Sequence, residues 1–156
     1  MRAVIFVTVG TTHFDALIRS VDDLVSGGEL AGPVVYQIGA GQYEPLNGRF
    51  FRFKPSIDAE LSEADLVITH GGATVFSLLA QHKRFVAVAN TSLDGNHQAK
   101  FLAFLGERSS MVWTDDTTTL GACVSRVLSR EPARLEAPSL ASDLLAYMGV
   151  CDNRSA

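Results

Sequence analysis

One central stretch leaves this chain little choice of fold. From Asp65 it reads D-L-V-I-T-H-G-G-A-T-V-F-S-L-L-A, from Arg84 R-F-V-A-V-A-N, and from Asp94 D-G-N-H-Q-A-K-F-L. Leu66 to Thr69 is a short apolar run suited to a strand buried on both faces. His70-Gly71-Gly72 breaks it, and Ala73 to His82 has the length and residue types of a helix. Phe85 to Ala89 is a second such strand, ending at Asn90, and Asn96-His97-Gln98 opens another helix. Strand, turn and helix in succession make a βαβ unit, which requires a parallel sheet.

The turns carry the chemistry. At a strand-to-helix turn, free backbone N–H groups and the positive end of the helix dipole suit an anion such as a pyrophosphate. Gly71 and Gly72 would let a ligand approach the backbone where a Cβ would obstruct it. Ala73 and Thr74 begin the helix, Thr74 adds a hydroxyl, and His70 adds an imidazole at the same mouth. With Asn90 closing the next strand, two strand ends point polar side chains into one crevice, where open α/β sheets bind ligands. Taken singly, Gly-Gly after a strand is also an ordinary turn and N-H-Q an ordinary helix start. Their succession is more specific.

The 156 residues suffice for one domain with a proper core. Apolar residues at 47% and charged ones at 19% place the chain among globular proteins. A net charge of −4 argues against nucleic-acid binding, which needs a basic footprint. An anion would have to be held locally, by N–H groups and a few donors. Cys123 and Cys151, far apart and without neighbouring ligands, make neither a disulfide framework nor a zinc site, and Cys123 falls on an apolar helical face. The N-terminal M-R-A-V-I-F-V-T-V-G reads as a strand rather than a signal peptide, and no run is long enough to span a membrane. A cytoplasmic location follows as the default expectation.

Taken in order, Ala3 to Val9 is a central strand ended by Gly10-Thr11-Thr12, a second strand-to-helix anion site. Phe14, Leu17, Ile18, Val21, Leu24 and Val25 then mark an amphipathic helix, with Asp15, Arg19, Asp22 and Asp23 on its polar face and Thr12 as its N-cap. Pro33 to Ile38 is the second strand. The G-A-G-Q-Y-E after it is not a dinucleotide fingerprint, because Glu44 replaces the third glycine and Pro45 and Gly48 interrupt any helix. Phe50 to Phe53 is a short strand, Ile57 to Leu61 a short helix, Ser110 to Trp113 a strand, and Leu120 to Leu128 a helix. The fold class is therefore α/β, a Rossmann-like, mostly parallel sheet with helices on both faces. Residues 1–149 read as a single domain. Within it, 138–149 form a C-terminal helix with an apolar stripe of Leu140, Leu144, Leu145 and Met148, and 150–156 are a loose tail.

The segments F-V-T-V-G-T-T-x-F-D-x-L-I, F-K-P-S-I, A-D-L-V-I-T-H-G-G and N-H-Q, in this order, resemble the C-terminal, donor-binding domain of family 28 GT-B glycosyltransferases. The likeness covers roughly the first two-thirds of the chain. It is strongest to the small UDP-sugar-binding subunits of two-chain enzymes, of the bacterial exopolysaccharide and eukaryotic dolichol-linked GlcNAc kinds. The resemblance implies half of a GT-B fold and a UDP-sugar as substrate. It also implies a membrane-associated partner subunit that binds a lipid-linked acceptor and recruits this chain to the inner face of the membrane. Neither cofactor nor metal is expected, since no paired carboxylates flank the site.

Carried over by position, Gly10, Thr11 and Thr12 would lie beside the donor phosphates. Phe53 and Lys54 belong to the segment whose backbone meets the uracil. His70 to Thr74 would hold the pyrophosphate, with His70 helping to neutralise it, and Asn96, His97 and Gln98 would address sugar hydroxyls. Where the family commonly carries a ribose-binding acid, this chain has Leu78, so either Ser77 or Asp94 takes that role or affinity for the nucleotide is reduced. No compelling catalytic base is present; Asp94 and His97 are the nearest. A non-catalytic nucleotide-sugar-binding or regulatory subunit is the alternative, and a free-standing epimerase or hydrolase would need a carboxylate that the crevice does not offer. In two-chain relatives the small subunit's C-terminal helix grips the partner, while helices of this kind more commonly pack on their own domain.

Overall fold

The computed structural model describes residues 3–92 and 96–136. Six strands, β1 (Ile5–Thr8), β2 (Val34–Gln37), β3 (Arg49–Phe51), β4 (Leu66–His70), β5 (Phe85–Val88) and β6 (Val112–Thr114), form one sheet. Their order is β3-β2-β1-β4-β5-β6, and all five pairings are parallel. Helices α1 (Asp15–Ser26), α2 (Asp58–Glu63), α3 (Thr74–Ala80), α4 (His97–Gly106) and α5 (Leu120–Leu128) connect or follow the strands. The chain winds outward one way from β1 and the other way from β4. Between these two strands lies the switch point where such sheets leave a crevice.

Alternation along the strands divides the core into two layers. Ile5, Val7, Val34, Tyr36, Ile68, Val86 and Val88 face α1 and α5. Phe6, Val67, Phe85 and Ala87 face α2, α3 and α4, meeting Leu61, Leu78, Leu79, Leu102 and Leu105. Both faces of β1, β4 and β5 are buried, which is why these strands read as unbroken apolar runs. Elements end within a few residues of where the sequence places them. His70, expected to break β4, is instead its last residue and pairs with Val88. The C-terminal helix of 138–149 and the tail lie outside the described residues, as does Asp94.

Two expectations about α1 are corrected. Thr12 does not cap it: its hydroxyl donates to the Val9 carbonyl (2.9 Å), and Phe14 stands at the N-cap without a side-chain bond. Asp22 is not on a solvated face but is only 2% exposed. Its carboxylate accepts from the Tyr43 hydroxyl (2.6 Å), the Leu46 and Asn47 N–H groups (2.9 and 2.8 Å) and the Asn47 amide (2.9 Å). No helix follows β2. The segment from Gly39 to Gly48 is a loop, and Asp22 is the post to which it is tied.

Burial alone would raise the Asp22 carboxyl, but these donors outweigh it and hold it below its ordinary value of 3.8. A group lowered by folding stabilises above its unfolded pKa, so this contribution is complete above about pH 4 and is lost as pH falls further. Asp22→Ala leaves two backbone N–H groups unpaired and should cost about 3 kcal/mol in urea unfolding, against less than about 0.5 for exposed Asp23→Ala. An equal, small loss in both variants would show that the loop is not held through Asp22.

Candidate functional site

The turns after β1, β2 and β4 interlock at the switch point. Gly10 adopts φ +62°, and a Cβ there would stand 3.3 Å from His70 Nε2. A Cβ on Gly72 would overlap His70 Cε1 and lie 2.9 Å from Nε2. The imidazole therefore fills the space between two glycines, one on each central turn. From beneath, the Thr8 hydroxyl donates to Gln37 Oε1 (2.5 Å) and accepts from the Gly10 N–H (3.1 Å). On the other side, a Cβ on Gly39 would overlap the Thr12 carbonyl oxygen, and the Ala40 N–H donates to that oxygen at 3.0 Å.

His70 is 9% exposed, and its Nδ1 is buried with no hydrogen-bond partner. Burial pushes its pKa down from 6.5 to about 4. The ring is neutral at pH 7, so it can offer a hydrogen bond but no positive charge. For His70 to help neutralise a phosphate, the anion would first have to raise its pKa. The glycines also serve the packing of the turns themselves. Gly72 makes room for His70, and a Cβ on Gly71 would lie 3.0 Å from Gln98 Cβ and 3.1 Å from Leu102 Cδ1. Both positions are demanded by the protein's own packing.

Gln98, in the first turn of α4, directs its Oε1 at the Gly71 N–H (3.0 Å) and the Asn90 N–H (2.9 Å). Asn90 is 1% exposed, so its side chain does not project into the crevice as expected. Its Nδ2 donates to the His13 carbonyl (2.8 Å), while its Oδ1 accepts from the Ser92 N–H and hydroxyl. Asn96 and His97 are exposed beside Gln98, as are Thr11 and Ala73. Thr74 is half-buried at the start of α3. Among the described residues, no acceptor meets the N–H groups of Gly72, Ala73 and Thr74, which remain available to an anion.

Phe53 and Lys54 follow the edge strand β3, two strands from β1. Phe53 is 65% exposed; Lys54 pairs with Glu60 and lies over the Phe51 ring. Their link to the centre is indirect. Arg52 Nη1 donates to the Gly41 carbonyl (2.6 Å), and the Gly39 N–H donates to the Arg52 carbonyl (3.2 Å). Leu78 is completely buried in the layer beneath α3, and Ser77 next to it is exposed. An acid at position 78 would sit in the apolar core, so Leu78 is a packing residue in this chain.

Beyond Asn90 a cavity of about 380 Å³ opens between α1, β5 and β6, lined by His13, Asp15, Asn90, Ser92, Asp115 and Asp116. Its three carboxylates make it a poor home for a diphosphate. No group of three or more His, Cys, Asp or Glu side chains converges as a metal site among the described residues. Sequence reasoning missed Thr8, Gln37, Asp22 and Arg52, which hold the turns. For Thr8 and Gln37 a signal was present: each is a polar residue inside an otherwise apolar strand run.

Two curated relatives are each called "UDP-N-acetylglucosamine transferase subunit ALG13". The Mus musculus protein is 34% identical over 92% of this chain, and the Homo sapiens protein 32% identical over 97%. The matched regions are only 12% and 13% of those proteins, so the chain spans a small part of the relatives' length. The crystal structure of Acinetobacter baumannii MurG is similar with a TM-score of 0.63 at 19% identity, covering 82% of this chain and 42% of that one. That likeness concerns the fold, which is that of one half of a GT-B glycosyltransferase. The model of the glycosyltransferase family 28 C-terminal domain matches residues 4–137, and the chain belongs to that family.

Proposed function

We propose that this chain is the UDP-sugar donor-binding subunit of a two-chain glycosyltransferase, which transfers a hexose-type sugar to a lipid-linked acceptor in polysaccharide or glycolipid synthesis. The observation that carries this reading is the closure of the β1 and β4 turns around a neutral His70, with the N–H groups of Gly72, Ala73 and Thr74 left free beside it. Membership of family 28 and the relatives' description as transferase subunits support it. The diphosphate would be met by backbone N–H groups and the Thr74 hydroxyl rather than by cations. Fixed dipoles of this kind stabilise the charge that develops on a departing UDP. The uracil would lie towards Phe53 and Lys54, and the sugar towards Asn96 and His97.

The acceptor and the base that activates its hydroxyl would come from a membrane-associated partner subunit. In this reading the chain acts on the cytoplasmic side, recruited to the membrane by that partner, and needs no metal. No helix among the described residues is long and apolar enough to cross a membrane. The burial of Leu78 favours a second reading, a nucleotide-sugar-binding or regulatory subunit without chemistry, because the position that commonly binds ribose cannot reach a ligand. Combining the chain with its partner and a UDP-sugar decides between the two: sugar transfer only when both chains are present supports the first.

Calorimetric titration should show UDP binding without a divalent metal, tighter than ADP or GDP by about tenfold or more, that is ~1.4 kcal/mol. Equal affinity for all three would remove the donor-site assignment. Gly72→Ala, by driving a Cβ into the His70 ring, should weaken UDP binding and let the His70 pKa climb from about 4 towards 6.5, read by NMR of the imidazole. An unmoved pKa with intact binding would mean the ring is not wedged between the turns. Leu78→Glu should destabilise the fold by several kcal/mol and leave ribose recognition unimproved, since a charge would enter the core.

Because folding lowers the His70 pKa, the unfolded chain takes up a proton that the folded one refuses. Stability attributable to His70 is whole above about pH 6.5 and should decline by up to about 3 kcal/mol as pH falls to 4. Chemical denaturation across this range, compared with His70→Asn, checks it. The variant should lack the slope.

A further inference from the structure

We propose that Gln98 is a positioning residue: its amide oxygen cross-links the turn after β4 to the end of β5 and so fixes the crevice between them. This inference rests on the donor-site reading for its consequence, though not for its geometry. Gly71 and Asn90 lie just past the last paired residues of the two strands, His70 and Val88. There the ladder ends, and two backbone N–H groups are left without a strand partner. Gln98 Oε1 accepts from both, at 3.0 and 2.9 Å, and acts as one more rung. Only the amide oxygen can accept, so the two donors determine which end of the amide faces them. A flip to meet a sugar hydroxyl with the oxygen would leave two N–H groups unpaired.

The surroundings are shaped for this bond. α4 approaches the turn closely only because residue 71 has no side chain: a Cβ there would press on Gln98 Cβ and Leu102 Cδ1 at 3.0 and 3.1 Å. Asn90, held by Gln98 through its N–H, in turn holds the His13 carbonyl at the entrance to α1 (2.8 Å). One side chain on α4 thus ties together the β4 turn, the β5 end and the loop after β1. The N–H groups of Gly72 and Ala73, next along the chain from Gly71, take their direction from this anchor.

Amide hydrogen exchange of the ligand-free protein, followed by NMR, tests the clamp directly. Gln98→Met and Gln98→Leu should each speed exchange at Gly71 and Asn90 by about tenfold or more while β1 and β2 stay protected. Gln98→Glu, whose carboxylate accepts but cannot donate, should restore protection at both. The apolar variants should also bind UDP about tenfold more weakly. Unchanged exchange in the folded apolar variants, or no restoration by glutamate, overturns the clamp. Faster exchange with undiminished UDP affinity overturns its positioning role. If the unaltered protein fails to bind UDP, the donor-site reading falls, and the exchange results still decide the clamp.

Discussion

Everything in this structure follows from a parallel sheet that must be covered on both faces. β1, β4 and β5 bury every residue, so their backbone and side chains have little contact with water along their length. Polar groups that a ligand can reach are confined to the strand ends, and the winding of the chain outward from β1 and β4 opens one crevice there. The same constraint explains the few polar side chains inside the sheet. Thr8 and Gln37 pair with each other, and Thr8 also supports the turn above it.

Glycine at this site is required by the packing of the protein's own turns. Gly10 and Gly72 flank the His70 ring, Gly71 admits α4, and Gly39 lies against the Thr12 carbonyl. The result is a set of turns that hold one another in place. Such preorganisation matters where charge is to be stabilised by dipoles, because a donor that must first reorient gives back part of what it contributes. It also accounts for the neutral His70: a ring enclosed in this way cannot take up a proton without losing hydration.

Acidic residues near the crevice are spent on architecture. Asp22 ties the loop after β2, Asp15 accepts from the Gln42 N–H, and Asp116 caps the short helical turn at Thr117–Thr119. A chain with net charge −4 can thus keep its carboxylates engaged around an opening that presents bare N–H groups. Two of the three carboxylates that line the cavity beyond Asn90, Asp15 and Asp116, are engaged in this way.

The sequence by itself determined the parallel sheet, the order of its elements, the absence of a dinucleotide fingerprint after β2 and the place of the turns. These rest on local periodicity, on glycine and proline, and on runs too apolar to face water. It also placed His70, Gly71, Gly72, Gly10 and Gln98 at one crevice, and the structure brings them together. What each of them does there was beyond its reach. Asp22 resembled a solvated helix residue until its partners arrived from 24 and 25 positions away. Asn90 resembled a ligand-facing strand end, yet it bonds to His13, 77 positions distant. Leu78 was identified as a departure from its family's pattern, but only packing showed that its side chain faces the core. Periodicity is set by neighbours along the chain, whereas the partner of a polar atom is set by which elements the fold brings alongside it.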